Sequence, residues 1–390
     1  MNHSYGRSWA EINLDHLAHN IKAIRRRVKS DAQIMAVVKA DAYGHGVAHT
    51  VPVLLENGAD RLAVALADEA IQLRRLGVTV PILVLSHTEP ARAEELLKYA
   101  ITQTVFSPDL LDALSKAALK TGKRAAIHVK IDTGMNRVGV NPEKEALDFI
   151  QLCSQKGGIH LEGVFTHFST SDERDGEYTR WQYSRFTGFM EKLKQSGYDV
   201  KLCHASNSGA VMQYPETALN MVRPGIILYG IYPSGEVDPG LIDLKPVMTL
   251  KSRITMIKTL NEGDAVSYGR KFIASENTRL ATLPIGYADG YSRLLSNKGR
   301  VLINGQYAPI AGNVCMDQCL VDVTGVTGPV NVGDEAVLIG AQGRETLLAD
   351  ELAGLMGTIP YETVCAIGRR IPRVYLRNGQ VEAVQNSLIP

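Results

Sequence analysis

QIMAVVKA, at residues 33–40, is the stretch that decides the fold, because it is the first of eight short apolar runs that recur along the chain. The other seven runs are RLAVAL (61–66), PILVLS (81–86), ITQTVF (101–106), AAIHVKID (125–132), LEGVFTH (161–167), VKLCHAS (200–206) and NMVRPGIILYG (220–230). Helical patterns separate them, such as ADEAIQLRRLG at 67–77 and PDLLDALSKAALKTG at 108–122. Eight strands that alternate with helices over about 200 residues predict a closed parallel (β/α)8 barrel rather than an open doubly wound sheet.

The pattern changes near residue 245, where short strand-like segments are separated by glycine turns. Examples are NEGDAVSYG (261–269), TRLATLPIGYADG (278–290) and NVGDEAVLIG (331–340). A single helical segment, TLLADELAGLMG (346–357), interrupts this all-β pattern. We therefore predict a barrel over residues 1–244 and a mostly β domain over 245–390, with residues 1–14 as a candidate to pair with the second domain.

Composition and charge argue against several classes of protein. The 390 residues include 42 Lys and Arg and 41 Asp and Glu, so the net charge is +1. The chain therefore lacks the excess of positive charge that is typical of nucleic-acid-binding proteins. The sequence contains neither a run of about 18 apolar residues nor the apolar core of a signal peptide. Five cysteines without a Cys-x-x-Cys pair predict reduced thiols in the cytoplasm rather than disulfides or a zinc site.

Lys39 lies at the end of the first apolar run, in AVVKADAYGHG (36–46). Its amine is either a charge that emerges into solvent or a desolvated group that is neutral enough to attack a carbonyl carbon. Since the C-terminal ends of barrel strands build active sites, the position fits the second interpretation. Polar groups also follow other strands, namely Lys130, Arg137, His167, Asn207, Ser208 and Arg223. Their convergence at one mouth of a barrel predicts a binding site.

The ends of the seventh and eighth strands usually form the phosphate position of such barrels. Ser208 offers a hydroxyl there, and Gly225 and Ile226 offer backbone N–H groups, although Gly225 is equally compatible with a simple turn. Tyr268 and Tyr361, in SYGRKF and IPYET, fit ordinary packing in a β domain. The turn that Gly269 permits could expose Tyr268.

These segments together resemble the alanine racemase family. AVVKADAYGHG is similar to that family's lysine signature for pyridoxal phosphate (PLP). Further matching blocks follow in the family's order over nearly the whole chain: GMNRVGV, HASNS, VRPGIILYG, AVSYGR, PIGYADGY, GNVCMDQ and IPYE. The resemblance implies a PLP-bearing (β/α)8 barrel, a mostly β C-terminal domain, and a head-to-tail homodimer with active sites at the interface.

The resemblance also implies a reaction, the interconversion of L-alanine and D-alanine for peptidoglycan. Racemisation needs bases on both faces of the substrate. Lys39 would act on the D face, and Tyr268 of the partner subunit on the L face. Arg223 would face the pyridine nitrogen of PLP and leave it neutral, because an arginine stays protonated.

The remaining matches assign contacts. The implied cofactor contacts are Lys39, Tyr43, Leu85, His167, Asn207, Ser208, Arg223, Gly225, Ile226 and Tyr361. The implied substrate contacts are Arg137, Tyr287, Cys315 and Met316. Lys130 matches a lysine that is carbamylated in several members, with an ordinary ion pair as the alternative.

Three other functions are compatible with all or part of the same predicted fold. A broader amino-acid racemase would share the fold and both bases, since a methylene or two in the substrate changes binding by only about 1–3 kcal/mol. A PLP decarboxylase of basic amino acids would use a cysteine of the second domain, but Cys315 stands in NVCMDQ, which fits the racemase block. A non-catalytic PLP carrier would consist of the barrel without a second domain.

Overall fold

The computed structural model describes residues 5–389, and its first elements are strand β1 (Ser8–Asn13) and helix α1 (Leu14–Arg27). Two units result. The first comprises Leu17–Ala42 and Val47–Lys245, and the second comprises the described residues up to His16, Tyr43–Gly46 and those from Pro246 onward. Over residues 5–389, no helix has the length and apolar character needed to cross a membrane.

Eight parallel strands of the first unit close into a barrel. They are β2 (Gln33–Val37), β3 (Arg61–Val64), β4 (Ile82–Val84), β5 (Thr102–Val105), β6 (Ala125–Lys130), β7 (Ile159–Phe165), β8 (Leu202–His204) and β9 (Met221–Val222). Each strand pairs with the next along the chain, and β9 closes the ring on β2 with Met221 beside Gln33. The predicted (β/α)8 barrel is confirmed.

Helices connect the barrel strands. They are α2 (Lys39–Tyr43), α3 (Val47–Glu56), α4 (Ala67–Arg75), α5 (Ala93–Lys98), α6 (Pro108–Thr121), α7 (Ala146–Gln155), α8 (Glu177–Gln195) and α9 (Ser208–Gln213). Local sequence explains their bounds. In α6, Pro108 occupies the first turn, where its missing N–H costs nothing, and Gly122 ends the helix with a φ of 67°.

The eighth apolar run, NMVRPGIILYG, is a strand at only two residues, Met221 and Val222. Pro224 cannot donate a ladder hydrogen bond, and the chain continues as a 3-10 helix over Ile226–Tyr229. All four residues of that helix are fully buried. The apolar character of this run therefore reflects burial and not a long strand.

The second unit is mostly β, as predicted. Its further strands are β10 (Met248–Arg253), β11 (Met256–Leu260), β12 (Ala265–Val266), β13 (Phe272–Ile273), β14 (Thr278–Leu283), β15 (Arg300–Ile303), β16 (Gln306–Pro309), β17 (Cys319–Asp322), β18 (Glu335–Gln342), β19 (Glu345–Leu347), β20 (Arg373–Arg377) and β21 (Gln380–Gln385). The largest sheet has the order β16-β15-β18-β10-β1-β20-β21, with β19 on β18. Within it, β1 runs antiparallel to β10 and parallel to β20.

Two smaller sheets complete this unit, β11-β14-β17 and β12-β13. It also contains two helices, α10 (Ala349–Met356) and α11 (Pro360–Cys365). The first lies within the helical segment that the sequence predicts. The second was not predicted, and it begins at Pro360, a residue suited to the first turn of a helix.

Candidate active site

The parallel strands bring the sequence-predicted polar residues of the barrel to one mouth, because parallel strands share the direction of their C-terminal ends. The strands and the residues that end or follow them are β2 with Lys39, β4 with Leu85, β6 with Lys130, β7 with His167, β8 with Asn207 and Ser208, and β9 with Arg223, Gly225 and Ile226. Six different strands thus contribute to one site.

Lys39 begins an unusual turn directly after β2. Ala40, Asp41 and Ala42 have φ values of 53°, 52° and 55°, which is left-handed backbone that L-residues rarely adopt. The turn is held by its own hydrogen bonds, since Ala42 N donates to Val38 O at 3.0 Å. Glu69 accepts from Ala40 N at 2.6 Å. The backbone that carries the half-buried Lys39 is therefore held in one strained conformation.

Arg223 is a heavily bonded cation of the barrel mouth, and its side chain is buried. Its Nη2 donates to Thr166 O at 2.8 Å and Ala205 O at 2.9 Å. Nη1 bonds His204 Nδ1 at 2.8 Å, and Nη2 bonds His167 Nδ1 at 3.1 Å. A guanidinium has five N–H donors, so these four contacts leave at least one for a ligand. Burial lowers the pKa of Arg223 to about 9, so the group stays cationic at neutral pH.

Lys130, the last residue of β6, is a buried amine with few partners. Its side chain is 4% exposed, and Nζ lies 3.3 Å from Ile131 O and 5.2 Å from the ring centre of Phe165. Within residues 5–389, no carboxylate lies at ion-pair distance from it. Burial, followed by the charge of Arg223, lowers the pKa of Lys130 well below its ordinary value. An ordinary ion pair therefore does not explain this lysine.

His167 shows how closely the predicted cations gather. Burial lowers its pKa well below the ordinary value, and the positive charges of Arg223, Lys130, Arg137 and Lys39 lower it further. The imidazole is thus neutral at physiological pH, and its Nδ1 is the acceptor for Arg223. Four converging cations make this mouth of the barrel attractive to anions such as a phosphate and a carboxylate.

Arg137 lies in the loop after β6, which folds back on the strand. Val140 N donates to Lys130 O at 2.9 Å, and Asp132 Oδ1 accepts from Gly134 N and Asn136 N, both at 3.0 Å. The loop places the side chain of Arg137 in an exposed position. Leu85 is fixed by its backbone, since its N–H donates to Val64 O at 2.8 Å.

Ser208 and Gly225 meet at the mouth, since Gly225 N donates to Ser208 Oγ at 2.8 Å. Asn207 caps α9, and its Oδ1 accepts from Ala210 N at 3.1 Å and from Ser171 Oγ at 2.6 Å. The hydroxyl and the nearby N–H groups are the donor types that phosphate oxygens bind. The structure therefore brings Ser208 and Gly225, two of the residues predicted for phosphate, into direct contact.

The second unit presents Tyr268 on a rigid turn, where its side chain is 71% exposed. Three residues around it have positive φ: Ser267 at 64°, Gly269 at 71° and Arg270 at 52°. Asn313 Nδ2 donates to Tyr268 O at 2.6 Å, and Ser267 Oγ donates to Asn313 O at 2.8 Å. A large aromatic ring is thus projected outward by a well-bonded backbone.

Tyr287, Cys315 and Met316 form one cluster beside this turn. Tyr287 N donates to Cys315 O at 3.0 Å, and Ser267 Oγ lies 3.3 Å from Cys315 Sγ. Gly286 makes the close approach possible, because a Cβ there would lie 2.1 Å from Cys315 O and 2.5 Å from Met316 O. Three of the residues predicted for substrate therefore depend on one glycine.

Tyr43 and Tyr361, both predicted for the cofactor, lie together in the second unit. Their ring centres are 6.3 Å apart at an interplanar angle of 54°, which is a favourable tilted arrangement. Gly44 follows Tyr43 with a φ of 81°, and a Cβ there would lie 2.6 Å from Val364 O of α11. The sequence after Lys39 is thus constrained at several successive positions.

Sequence reasoning missed two buried histidines, His128 in β6 and His204 in β8, whose rings are fully buried. His128 Nδ1 and His204 Nε2 are 2.8 Å apart. One signal was available, because His128 stands two residues before Lys130 and alternate strand residues share a face. An imidazole inside an otherwise apolar run is therefore a sequence signal for a buried polar contact.

Known proteins match this chain over nearly its whole length. The N-terminal domain profile of alanine racemase matches residues 12–233, and the C-terminal domain profile matches residues 247–375. The alanine racemase of Clostridium novyi (strain NT) is 49% identical over 378 residues, 97% of both chains. That of Desulforamulus reducens is 50% identical over 368 residues, 94% of this chain and 98% of the relative.

Solved structures agree as well. Alanine racemase of Clostridium difficile 630 has a TM-score of 0.94 at 41% identity and covers 98% of this chain and 99% of its own. Alanine racemase of Bacillus anthracis with bound L-Ala-P has a TM-score of 0.92 at 38% identity, with 98% of each chain covered. The chain therefore belongs to the alanine racemase family of isomerases.

Proposed function

We propose that this protein interconverts L-alanine and D-alanine with PLP as its cofactor. The observation that carries the proposal is the placement of Lys39 at a barrel mouth where Arg223, Lys130 and Arg137 also act on His167. The donor set fits PLP, since Lys39 carries an amine of the type that binds its aldehyde and Ser208 with nearby N–H groups suits its phosphate. PLP supplies the electron sink for negative charge at Cα of a bound amino acid.

The residues of this chain would then divide the remaining work. Tyr43, Leu85, Asn207, Ser208, Gly225, Ile226 and Tyr361 would hold the cofactor, with His167 and Arg223 beside it. Arg223 would donate a hydrogen bond to the pyridine nitrogen. A charged guanidinium has no acceptor for the N–H of a protonated pyridine, so the nitrogen would stay unprotonated. Arg137 and the cluster of Tyr287, Cys315 and Met316 would bind the substrate carboxylate and limit the size of its side chain.

Two bases would move the Cα proton. The Nζ of Lys39 would take or return it on the D face, and the phenol oxygen of Tyr268 of the partner subunit would do so on the L face. A homodimer is supported by the 71% exposure of Tyr268 on a well-bonded turn, since a ring that projects into solvent is accessible to a second subunit. Each active site would then need both subunits.

Lys130 would carry a carbamate. Its buried amine has a lowered pKa and no carboxylate at ion-pair distance in the described chain, and a neutral amine is the form that adds carbon dioxide. The product would be an anion, which would offset the surrounding cations and hold the guanidinium of Arg137. Intact mass under mild conditions would show the added carbon dioxide.

The activity is tested by incubation with L-alanine and chiral analysis of the product. Formation of D-alanine supports the proposal, and bound PLP without any D-alanine refutes it. L-serine in the same assay distinguishes an alanine enzyme from a broader racemase. A strain that requires D-alanine for its wall tests the proposed supply to peptidoglycan, since only an active chain restores growth.

Mixed dimers test the contribution of the partner subunit. Lys39→Ala and Tyr268→Phe should each lower kcat by at least about 10²-fold, the usual contribution of a positioned base. A dimer of one subunit of each kind contains one site with both groups intact, so it should regain about half of the wild-type activity. If both bases came from the same subunit, mixing would restore nothing.

The five cysteines suit a reducing compartment, since none of them forms a disulfide. We place the enzyme in the cytoplasm on this basis. Cell fractionation tests it.

A further inference from the structure

A chain of hydrogen bonds crosses the barrel interior from Arg223 to the opposite end of the strands. Arg223 Nη1 bonds His204 Nδ1 at 2.8 Å, and His204 Nε2 bonds His128 Nδ1 at 2.8 Å. His128 Nε2 then bonds Glu162 Oε2 at 3.1 Å, and Arg61 Nη1 donates to Glu162 Oε1 at 2.9 Å. Arg61 is the first residue of β3, so this relay of five residues joins both ends of the barrel.

The chemistry of the two ends fixes the direction of every bond between them. A guanidinium only donates, so His204 Nδ1 must accept from Arg223. An ionised carboxylate only accepts, so His128 Nε2 must carry the proton that faces Glu162. Both requirements agree when each imidazole is neutral and protonated on Nε2, because His204 then donates to His128. In the alternative tautomer, His204 would carry its proton on Nδ1, and this N–H would face the N–H of Arg223 with no acceptor between them.

The surroundings keep both imidazoles neutral. Burial lowers the pKa of His204 well below its ordinary value, and the charge of Arg223 lowers it further. Burial also lowers the pKa of His128, although Glu162 acts in the opposite direction. For Glu162, burial raises the pKa, but the hydrogen bonds from His128 and Arg61 outweigh burial and hold the pKa low. The carboxylate that anchors the relay is therefore ionised.

We infer that Glu162, with Arg61 behind it, is a positioning residue for Arg223: it selects the Nε2–H tautomers of His128 and His204 and so keeps a ring acceptor opposite Arg223 Nη1. Without that acceptor, Arg223 would lose one of its four contacts and the orientation it imposes. The inference rests on the proposed function, since the duty of Arg223 toward the pyridine nitrogen belongs to it. Neither Glu162 nor Arg61 follows the C-terminal end of a strand, where the predicted site residues stand.

Glu162→Gln is the decisive substitution, because it keeps the shape and reverses one end of the relay. Arg61 can only donate, so it should hold the new amide oxygen and leave the amide NH2 facing His128. His128 Nε2 must then accept, and the proton moves to Nδ1 in both imidazoles. His204 would present an N–H to Arg223, and the contact would be lost.

A second substitution supplies the matched control. Arg61→Met, made in the wild-type background, leaves the carboxylate of Glu162 to accept from His128 and should keep both Nε2–H tautomers. Combined with Glu162→Gln, it removes the donor that holds the amide oxygen. The amide can then rotate, accept from His128, and restore the original direction.

The tautomers are measured by ring ¹⁵N chemical shifts of the full-length protein labelled at histidine, before and after addition of PLP. Signals of the two histidines are assigned from the spectra of His128→Asn and His204→Asn. We expect Nε2–H at both in the wild type, Nδ1–H at both in Glu162→Gln, and Nε2–H again in the double variant. Racemisation should follow, with kcat about tenfold lower in Glu162→Gln, KM little changed, and most of kcat regained in the double variant.

Three results would overturn the inference: Nδ1–H at His204 in the wild type, unchanged tautomers in Glu162→Gln, or no return in the double variant. If Glu162 had a purely structural role, adding Arg61→Met to Glu162→Gln would lower kcat further instead of restoring it. Because the tautomers are also read before PLP is added and without substrate, the relay can fail while racemisation stands. Conversely, wild-type protein without racemase activity refutes the proposed function and leaves the tautomer result intact.

Discussion

Replacement of Lys130 by Met should stabilise the folded protein most at the lower end of the pH range. Lys130 is buried with its Nζ against Ile131 O and the ring of Phe165. Burial and the charge of Arg223 lower the pKa of its amine well below the ordinary 10.5. A methionine has a similar length and carries no charge, so it removes the ionisation without opening a large cavity.

The magnitude follows from proton linkage. Between the lowered pKa of the folded state and the 10.5 of the unfolded chain, the unfolded chain binds one more proton at Lys130. The free energy of unfolding of the wild type therefore rises with pH, by about 1.4 kcal/mol for each pH unit. Lys130→Met lacks this contribution. Its stability relative to the wild type should fall by about 1.4 kcal/mol per unit as pH rises through that window.

The assay is urea unfolding of wild type and variant in buffers free of carbon dioxide, at closely spaced pH values from neutral upward. Lys123→Met is the matched control, because Lys123 Nζ also lies 3.3 Å from a backbone carbonyl but its side chain is exposed. That variant should show no such change of slope. Parallel pH profiles for wild type and Lys130→Met would refute the reasoning, since they would mean that folding leaves the proton on Lys130.

The same pair of proteins tests the carbamate. Carbon dioxide that binds the folded state stabilises it by mass action, so added bicarbonate should raise the stability of the wild type. Lys130→Met should not respond. A wild-type response equal to that of the variant would contradict a carbamate at Lys130.

Three further predictions concern Gly286, Asn207 and Ser208. Gly286→Ala should raise KM for alanine severalfold with less effect on kcat, since the added Cβ would displace the backbone of Cys315 and Met316; steady-state kinetics check this. Asn207→Ala should lower the free energy of unfolding by about 1 kcal/mol through loss of a helix cap, measured by urea unfolding, and an unchanged midpoint would contradict the capping role. Ser208→Ala should weaken PLP binding about tenfold, seen in a fluorescence titration, because it removes one hydrogen-bonding hydroxyl from the proposed phosphate position.

The barrel could be predicted from sequence because its strands are short, apolar and regularly spaced. That signal measures burial, and burial does not always mean a strand. In NMVRPGIILYG, Pro224 ends the ladder and the apolar residues continue as a buried 3-10 helix. Helix α11 was missed for the opposite reason, since six residues are too few to show a helical period.

The mouth of the barrel could be predicted because polar residues at strand ends stand out from apolar runs. The relay could not, because a histidine inside a strand has no such position to mark it. Glu162 and His128 are far apart in sequence, and the pairing of β6 with β7 brings their strands together. The family resemblance supplied roles for Tyr268 and Met316, which their own surroundings in the sequence did not indicate.

The turn after Lys39 has a consequence for chirality. Left-handed backbone costs an L-residue about 1–2 kcal/mol, and a D-residue adopts the same φ and ψ without that cost. Ala40 and Ala42 both lie in this region, with φ of 53° and 55°. At these two positions an all-L chain holds the backbone shape that its mirror-image alanine prefers. A semisynthetic protein with D-alanine at both positions should be more stable than the natural one. In the segment that follows Lys39, the chirality of a residue therefore affects the stability of the fold directly.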